Sequence, residues 1–293
     1  MYKIATLNKI SQKGISCFSG NYEMVENLEE ANGILVRSQD MRSMDFSENL
    51  LAIARAGAGV NNIPLDICSE KGIVVFNTPG ANANAVKELV LTGLLMSARN
   101  LTSAIAWAKT LTATSDIPRT VEKNKSKFAG HEIQGKTLGV IGLGAIGVMV
   151  ANAAECLGMK VLGYDPYISI ASAHELSPSV QIIESLDVLL PLCDYVTIHV
   201  PFMENTKEMI NKQRLKLMKK DVCLLNFSRD QIVKEDDVLE AIDRGFIRTY
   251  VTDFPNENYL DRDQIICIPH LGASTHESED NCAVMAVEEL IDY

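Results

Sequence analysis

The chain has 293 residues, of which 47% are hydrophobic and 22% charged, a composition typical of a globular protein with about two domains. Its formal net charge of -11 disfavours a nucleic-acid partner, because such partners are bound through an excess of Lys and Arg. No apolar run reaches the roughly twenty residues that span a bilayer, and the amino terminus is unlike a signal peptide. Seven scattered cysteines without a CxxC pair indicate buried thiols, no metal site and a cytoplasmic location.

Short apolar runs alternate with helical stretches over the first 99 residues, a pattern that predicts a parallel sheet covered on both faces. The predicted strands are 3–6, 33–36, 51–54 and 73–76, and the predicted helices lie near 24–30, near 64–71 and over 84–98. The last helix is apolar enough to be buried between domains or subunits. The polar stretch 112–135 after it is predicted to be a surface loop that contacts a partner or the site.

The most informative stretch is 136–165, which predicts a strand, a turn, a helix and a second strand. Gly142, Gly144 and Gly147 follow the first strand in the spacing GxGxxG, and the second strand ends on Asp165. In a dinucleotide-binding unit these glycines permit a tight turn, a close approach to a pyrophosphate and close packing of the helix on the strand. The sequence therefore predicts a dinucleotide site here.

Two further features of this unit specify the cofactor. The helix begins at Ala145 and Ile146, where unpaired N–H groups and the positive end of the helix dipole suit phosphates. Asp165 is placed to accept hydrogen bonds from both adenosine ribose hydroxyls and to repel a 2′-phosphate. The next residues are Pro166 and Tyr167, so no basic side chain follows to bind such a phosphate. We therefore expect NAD in preference to NADP.

The same alternation resumes after Asp165. The predicted strands are 195–200, 222–227, 248–252 and 265–268, and the predicted helices are 183–190, 212–219 and 235–244. A last helix is expected to start with a capping box, in which Ser274 is the N-cap and Glu277 stands three residues on, and to run to residue 293.

Three polar residues follow predicted strands of this half: Arg229, Glu257 and His270. Ligands of open α/β sheets lie beyond the carboxyl ends of the strands. An arginine there can hold a substrate carboxylate, a histidine can accept a hydroxyl proton, and a glutamate can orient the imidazole and raise its pKa. The set suits oxidation of an alcohol next to a carboxylate. Each residue also has an alternative interpretation without a catalytic role: Arg229 as a surface residue, Glu257 as a solvated acid and His270 as a helix cap.

Two other segments are candidates for binding. His199, Val200 and Pro201 follow a strand, and we expect them to line the adenine pocket, since the last two supply an apolar wall. The turn 55–59 contains Gly57 and Gly59, whose N–H groups can hold a small anion. By spacing alone, this turn is equally consistent with a plain strand-to-helix loop.

The sequence resembles the D-isomer-specific 2-hydroxyacid dehydrogenase family over essentially its whole length. The motifs that carry the resemblance are VRS (36–38), AGAGVNN (56–62), FNTP (76–79), GLGAIG (142–147), YDP (164–166), NFSR (226–229), DFPNE (253–257) and PHLGAST (269–275). The resemblance implies that Arg229, Glu257 and His270 are catalytic. It also implies that the N–H groups of Ala58 and Gly59 receive the substrate carboxylate.

Further site residues are implied by the same resemblance. Thr252 or Asp253 is expected near the nicotinamide carboxamide, and the remaining expected cofactor contacts are Phe227, Ser228, Gly272 and Ala273. In the branch of the family that acts on phosphoglycerate, an arginine like Arg37 meets the substrate phosphate. One departure is Asp230, which follows the catalytic arginine where the family usually has glycine and could weaken substrate binding if it points inward.

The fold class expected from pattern and resemblance is α/β with two doubly wound parallel-sheet domains. A flavodoxin-like substrate domain, 1–99 with 275–293, would carry an inserted Rossmann-type NAD-binding domain, 100–274, and the cleft would close on substrate. We also expect a homodimer formed through the apolar helix 84–98. Whether a regulatory domain follows residue 293 is left open.

The expected function is NAD-dependent oxidation of 3-phospho-D-glycerate to 3-phosphooxypyruvate, the first step of L-serine biosynthesis. One alternative is a dehydrogenase or reductase of another D-2-hydroxyacid, namely glycerate, glyoxylate, lactate or 2-hydroxyglutarate. Arg37 discriminates between them, because a substrate without a phosphate needs no cation there. A different alternative is an NAD-sensing binding protein of the co-repressor kind.

Overall fold

The computed structural model describes residues Met1–Tyr293 and divides into two compact units. The first unit consists of Met1–Ala85 and Ala273–Tyr293, and the second of Val86–Gly272. The sequence assigns residues 86–99 to the first domain, whereas in the structure they belong to the second unit. The physical reason is that Val90 and Leu94 are fully buried in the core of that unit.

The strands are β1 (Tyr2–Leu7), β2 (Tyr22–Met24), β3 (Gly33–Val36), β4 (Ala52–Arg55), β5 (Val74–Phe76), β6 (Thr137–Ile141), β7 (Lys160–Tyr164), β8 (Gln181–Ile182), β9 (Tyr195–Ile198), β10 (Val222–Asn226), β11 (Ile247–Thr252) and β12 (Ile265–Cys267). The α-helices are α1 (Gln12–Ile15), α2 (Leu65–Lys71), α3 (Ala83–Ala98), α4 (Leu101–Lys109), α5 (Ile117–Asn124), α6 (Ala145–Cys156), α7 (Ile170–Glu175), α8 (Leu186–Leu189), α9 (Lys212–Leu215), α10 (Glu235–Asp243) and α11 (His276–Asp292). Short 3-10 helices cover Leu28–Glu30, Thr110–Ala113, Lys125–Phe128, Leu190–Leu192 and Asp230–Ile232.

The first unit contains a five-stranded parallel sheet in the order β2-β1-β3-β4-β5, which is the flavodoxin-like order. The apolar side of α11, including Ala283, Ala286 and Val287, is buried in the same core as residues of β1, β3 and β4. Helix α1 packs closely on α11, since a Cβ at Gly14 would lie only 2.5 Å from the carbonyl carbon of Ala283. The carboxyl-terminal helix therefore completes the unit that the amino-terminal strands begin.

The second unit contains a seven-stranded parallel sheet in the order β12-β11-β10-β9-β6-β7-β8. This is the Rossmann order extended by one strand, and the order reverses between β6 and β9. Apolar cores cover both faces of the sheet. In one of these cores helix α3 packs closely on the sheet, since a Cβ at Gly93 would lie 3.0 Å from the side chains of Phe227 and Val251. The predicted fold class, two doubly wound parallel-sheet units, is confirmed.

Some predicted elements are wrong. The helix expected near 24–30 is the edge strand β2 followed by a 3-10 turn. The loop expected over 112–135 contains α5 and flanking 3-10 turns, because Asp116 accepts a hydrogen bond from the N–H of Arg119 and Pro118 occupies the first turn. Helix α11 is capped by Thr275, not Ser274. No element was predicted at α1, α4, α7 or β8, and three of these, α1, α7 and β8, have only two to six residues.

Four of the seven cysteines are buried, but Cys17 and Cys156 are exposed and Cys267 is half-buried, and all seven are free thiols. No group of three or more His, Cys, Asp or Glu side chains is arranged to hold a metal ion. No single helix has the length and apolar composition needed to cross a membrane. The bent pair Ala83–Ala98 and Leu101–Ala113 passes that test by length and composition alone.

Candidate functional site

The glycine-rich loop lies where the strand order of the second sheet reverses. Gly142, between β6 and α6, has φ 93°, and a Cβ there would lie 2.7 Å from the carbonyl carbon of His199, at the end of β9. A Cβ at Gly147 would lie 1.9 Å from the carbonyl oxygen of Gly142, so helix α6 packs against the turn at a distance that only glycine permits. Gly144 is the N-cap of α6 and has open space around its Cα. The loop therefore has the sterics of a pyrophosphate cradle.

Asp165, directly after β7, fixes this loop. Its carboxylate accepts hydrogen bonds from the N–H of Leu143 and the N–H of Tyr167, both at 2.8 Å. Each carboxylate oxygen keeps a free lone pair for a further donor, such as a ribose hydroxyl. One side chain thus ties the glycine loop to the end of the neighbouring strand and stays half-buried at the same edge.

Replacing Asp165 with asparagine tests its predicted role in cofactor choice. Asparagine is isosteric and removes the charge that repels a 2′-phosphate. We expect kcat/KM for NAD to fall and the NAD-to-NADP ratio of kcat/KM to drop by roughly tenfold or more, the worth of a charge-assisted hydrogen bond. Steady-state kinetics with both cofactors measure this ratio. A wild-type enzyme more efficient with NADP would contradict the assignment.

His199 is held in place as a neutral side chain. Its backbone N–H donates to the carbonyl oxygen of Ile141 at 2.7 Å, and the ring Nε2 lies 3.0 Å from the hydroxyl oxygen of Thr197. Burial lowers the pKa of His199 to about 3, so the imidazole is uncharged at neutral pH. An uncharged ring beside Val200 and Pro201 is compatible with the predicted adenine pocket, which stays a prediction.

The loop after β10 carries Arg229 and is organised by a buried asparagine. Asn226, fully buried, donates from Nδ2 to the carbonyl oxygen of Arg229 at 2.8 Å, and its Oδ1 accepts from the N–H of Ser228 at 3.2 Å. Ser228 also donates through its hydroxyl to the carbonyl oxygen of Val200, which ties this loop to the one after β9. Asn226 lies within the NFSR motif, but its positioning role was missed because it depends on the side-chain direction.

His270 adopts an unusual backbone conformation, with φ 52°. Non-glycine residues rarely adopt positive φ, and where they do, the surrounding contacts must compensate for the strain. The compensation comes from Asp253. Its carbonyl oxygen accepts from the N–H of His270 at 3.0 Å, and its carboxylate accepts from the N–H groups of Leu271 and Gly272 at 2.8 Å. A Cβ at Gly272 would lie 3.1 Å from the Asp253 carboxylate, so glycine also permits this approach.

Asp253 is almost fully buried, and burial raises the pKa of its carboxyl group, while the N–H groups of Gly272 and Leu271 oppose the increase. The sequence places Asp253 near the nicotinamide by resemblance. The structure adds that it holds the turn after β12 in position. No local pattern could reveal this, because the two segments are brought together only by the pairing of β11 with β12.

The side chain of His270 is exposed and packs edge-on against Phe254, with ring centroids 5.3 Å apart. Glu257 is also exposed, and no hydrogen bond or ion pair joins it to His270 in the structure. Arg229 is half-buried, and its Nη1 donates to the carbonyl oxygen of Ser228 at 2.6 Å. The predicted pairing of Glu257 with His270 therefore stays a prediction.

Asp230, the residue that departs from the family pattern, forms no salt bridge with Arg229. It is exposed and lines a cavity of about 270 Å³ together with Phe254, Tyr250 and Thr252.

In the first unit, Arg37 directly follows β3, next to the point where the strand order reverses between β1 and β3. The loop is fixed by Asn8, whose Oδ1 accepts from the N–H groups of Ser38 at 3.0 Å and Gln39 at 2.8 Å. The Arg37 guanidinium forms a salt bridge with Glu279 of α11, 2.8 Å between Nη1 and Oε1. The predicted phosphate-binding arginine thus has a carboxylate partner within its own unit.

The turn after β4 is held by the loop after β5. The N–H of Thr78 donates to the carbonyl oxygen of Gly57 at 3.1 Å, and Asn77 donates from Nδ2 to the carbonyl oxygen of Ala58 at 2.7 Å. No backbone carbonyl oxygen accepts a hydrogen bond from the N–H groups of Ala58 and Gly59. Such a turn is compatible with the predicted carboxylate site, which stays a prediction.

The fold, the glycine loop and the acid at the end of β7 together define a dinucleotide-binding protein of the doubly wound α/β class. Residues 91–276 match the family model described as "D-isomer specific 2-hydroxyacid dehydrogenase, NAD binding domain". The chain belongs to the D-isomer specific 2-hydroxyacid dehydrogenase family, and its cofactor is NAD. The family and the cofactor predicted from the sequence motifs are both confirmed.

The curated relatives and solved structures agree on the family but carry several names. The chain is 33% identical over 296 residues to D-3-phosphoglycerate dehydrogenase of Methanocaldococcus jannaschii, covering 98% of this chain and 54% of the relative. For the Homo sapiens D-3-phosphoglycerate dehydrogenase the identity is 34% over 280 residues, covering 92% and 50%. The chain therefore spans about half the length of the curated relatives that it matches.

A solved structure of NAD+-bound 3-phosphoglycerate dehydrogenase in Entamoeba histolytica has a TM-score of 0.78 and 25% identity, covering 99% of this chain and 94% of that one. A D-lactate dehydrogenase from Aquifex aeolicus, complexed with NAD and lactic acid, has a TM-score of 0.76 and 25% identity, with the same coverage. The two enzymes are named for different substrates, so structural similarity does not select one of them.

Proposed function

We propose that the protein is an NAD-dependent dehydrogenase that oxidises 3-phospho-D-glycerate to 3-phosphooxypyruvate, a step of L-serine biosynthesis. The observation that carries this proposal is the set of hydrogen bonds between Asp253 and the turn that carries His270 (the Asp253 clamp). They hold the histidine in a strained backbone conformation at the carboxyl ends of the strands of a dinucleotide-binding sheet. The names of the curated relatives support the choice of substrate.

In the proposed reaction, bound NAD supplies the acceptor for the hydride that leaves C2. His270 takes the proton of the C2 hydroxyl, as a positioned general base. Arg229 binds the reacting end of the substrate and polarises the C2 oxygen next to the carboxylate, since a guanidinium donates charge-assisted hydrogen bonds. Glu257 would orient the imidazole once substrate is bound, because catalytic hydrogen bonds often form only in the complex.

The phosphate of the substrate is assigned to Arg37, with the carboxylate at the N–H groups of Ala58 and Gly59. Arg37 lies after β3 and the turn follows β4, and these strands are neighbours in the first sheet. Carboxyl ends of neighbouring parallel strands meet at one edge, so the cation and the turn are on the same side of that sheet.

A substrate panel with NAD tests the proposal. The candidates are 3-phosphoglycerate, D-glycerate, D-lactate and 2-hydroxyglutarate, each measured for kcat/KM with purified protein. We expect 3-phosphoglycerate to have the highest value. A higher value for an acid without a phosphate would support the second candidate, a dehydrogenase of another 2-hydroxyacid. The salt bridge between Arg37 and Glu279 favours that candidate, because the Glu279 carboxylate already neutralises the Arg37 guanidinium.

We also propose that the protein forms a homodimer. The exposed apolar side chains of α3, α4 and α5 support this, since removing apolar surface from water between two subunits favours association. They are Leu95, Leu101, Ile105 and Ile117, with exposed fractions of 40%, 39%, 52% and 46%. We expect a dimer mass by light scattering at micromolar concentration, and a shift toward monomer for Ile105→Glu, because a buried unpaired charge opposes association. A wild-type monomer would contradict the proposal.

A further inference from the structure

A second polar cavity lies at the amino ends of the strands of the second sheet, whereas the glycine loop lies at their carboxyl ends. It has a volume of about 390 Å³ and is lined by His131, Lys136, Asp194, Tyr195, Lys220, Asp221 and Arg248. These residues lie at or before the amino ends of β6, β9, β10 and β11, which are neighbours in the sheet. The cofactor is bound at carboxyl ends, so this cavity is separate from the dinucleotide site.

Arg248, the second residue of β11, is the central group of this cavity. Its guanidinium is half-buried, and its buried Nε has no hydrogen-bond partner. Its Nη2 donates to the hydroxyl oxygen of Tyr195 at 3.3 Å, and its Cζ lies 5.5 Å from the centroid of the same ring. No carboxylate lies within salt-bridge distance of Arg248. A partly buried cation without a counter-charge is costly unless an anion joins it.

The groups next to the guanidinium are neutral. Burial raises the pKa of Tyr195, so its phenol stays protonated at neutral pH. Burial likewise raises the pKa of the nearby Cys223 thiol to about 11, and its Sγ donates to the hydroxyl oxygen of Ser97 at 3.2 Å. Neither group can balance the charge of Arg248.

The two carboxylates of the cavity do not balance it either. Asp194 is already engaged, because it pairs with Lys219 at 3.0 Å and accepts from the N–H of Thr137 at 2.8 Å. Asp221, in a tight turn with φ 64°, forms no salt bridge. Lys136 and Lys220 also line the cavity and form no salt bridge, although Lys136 lies near enough to Asp194 for electrostatic attraction. This concentration of unpaired cations contrasts with the net charge of -11 for the whole chain.

We propose that this cavity is a binding site for a phosphate group, either free or on a small metabolite, held by Arg248, Lys220 and Lys136. A guanidinium fork with two mobile ammonium groups suits a tetrahedral dianion. The volume falls within the range of small-molecule pockets. The site lies outside the proposed reaction, so its failure would leave the proposed function untouched.

Isothermal titration calorimetry with inorganic phosphate tests the site, in excess NADH to block the dinucleotide loop and at constant ionic strength. We expect Arg248→Gln and Lys220→Gln each to raise the dissociation constant at least ~10-fold, the worth of a charge-assisted hydrogen bond. Arg244→Gln is the matched control, because this exposed arginine pairs with Glu240 outside the cavity. Any phosphate that binds near Arg37 would contribute equally in all these variants, so it would not produce the expected difference in dissociation constant.

Asp221→Asn provides a test with the opposite sign. It removes the cavity's unpaired carboxylate, so we expect phosphate to bind more tightly. Lys220 is exposed, so its variant reports on binding even if Arg248→Gln does not fold. Wild-type phosphate affinity in Lys220→Gln, or weaker binding in Asp221→Asn, would overturn the proposal. Repeating the titration with glycerol 2-phosphate distinguishes the two sources of the phosphate group. Weaker binding of this monoester than of inorganic phosphate would indicate a site for free phosphate, and equal or tighter binding would indicate a site for a phosphorylated metabolite.

Discussion

Replacing His270 with alanine is expected to lower kcat by at least ~10², the usual contribution of a positioned general base. The structure supports this because the turn that carries His270 is held in a strained conformation by three hydrogen bonds to Asp253. Since the glycine loop and Asp165 are untouched, NADH binding should stay nearly unchanged. Steady-state kinetics and a fluorescence titration with NADH measure the two quantities.

The matched control for this prediction is His174→Ala. His174 lies exposed in the last turn of α7, away from the strand ends, and should keep wild-type kinetics. Turnover near wild type in His270→Ala would remove this residue from the mechanism. Loss of NADH affinity in the same variant would instead mean that the turn itself had collapsed.

Replacing Arg37 with alanine is expected to raise the KM for 3-phosphoglycerate by roughly tenfold or more, since a charge-assisted hydrogen bond contributes about 1.5–3 kcal/mol. Activity on D-lactate, which lacks a phosphate, should barely change. The test is a comparison of KM values for both substrates in wild type and variant. Equal losses on the two substrates would indicate a disturbed fold. No loss on either would mean that the phosphate is bound elsewhere, such as by Lys123, Lys125 or Lys127 of a second subunit.

Glu279→Gln is expected to act in the opposite direction. Glu279 competes with a substrate phosphate for Arg37, so its neutral isostere should lower the KM for 3-phosphoglycerate, by up to about fivefold, because exposed ion pairs contribute at most about 1 kcal/mol. Arg42→Ala is the matched control, as this exposed arginine pairs only with Asp40. An increase in KM with Glu279→Gln would mean that the ion pair positions Arg37 instead of competing for it.

The amino-acid sequence was enough to predict the doubly wound α/β class and the position of the dinucleotide loop. Both depend on local rules: the alternation of apolar runs with helical stretches, and the sterics of Gly142 and Gly147, where no side chain can fit. Strand β3 was predicted with its observed bounds because its four residues are all buried and form one apolar run. The segment 112–135 was mispredicted because helix α5 has only eight residues and buries none of them, so no apolar run marks it in the sequence.

The contacts that hold the candidate site in place became visible in the folded chain. The Asp253 clamp, the Asn226 hydrogen bonds and the salt bridge between Arg37 and Glu279 all depend on side-chain direction or on strand pairing. The same is true of the unpaired guanidinium of Arg248, which in the sequence is one of many charged residues. Local pattern fixes what a segment becomes, whereas hydrogen bonding and charge balance depend on which distant segments the fold brings within a few ångströms.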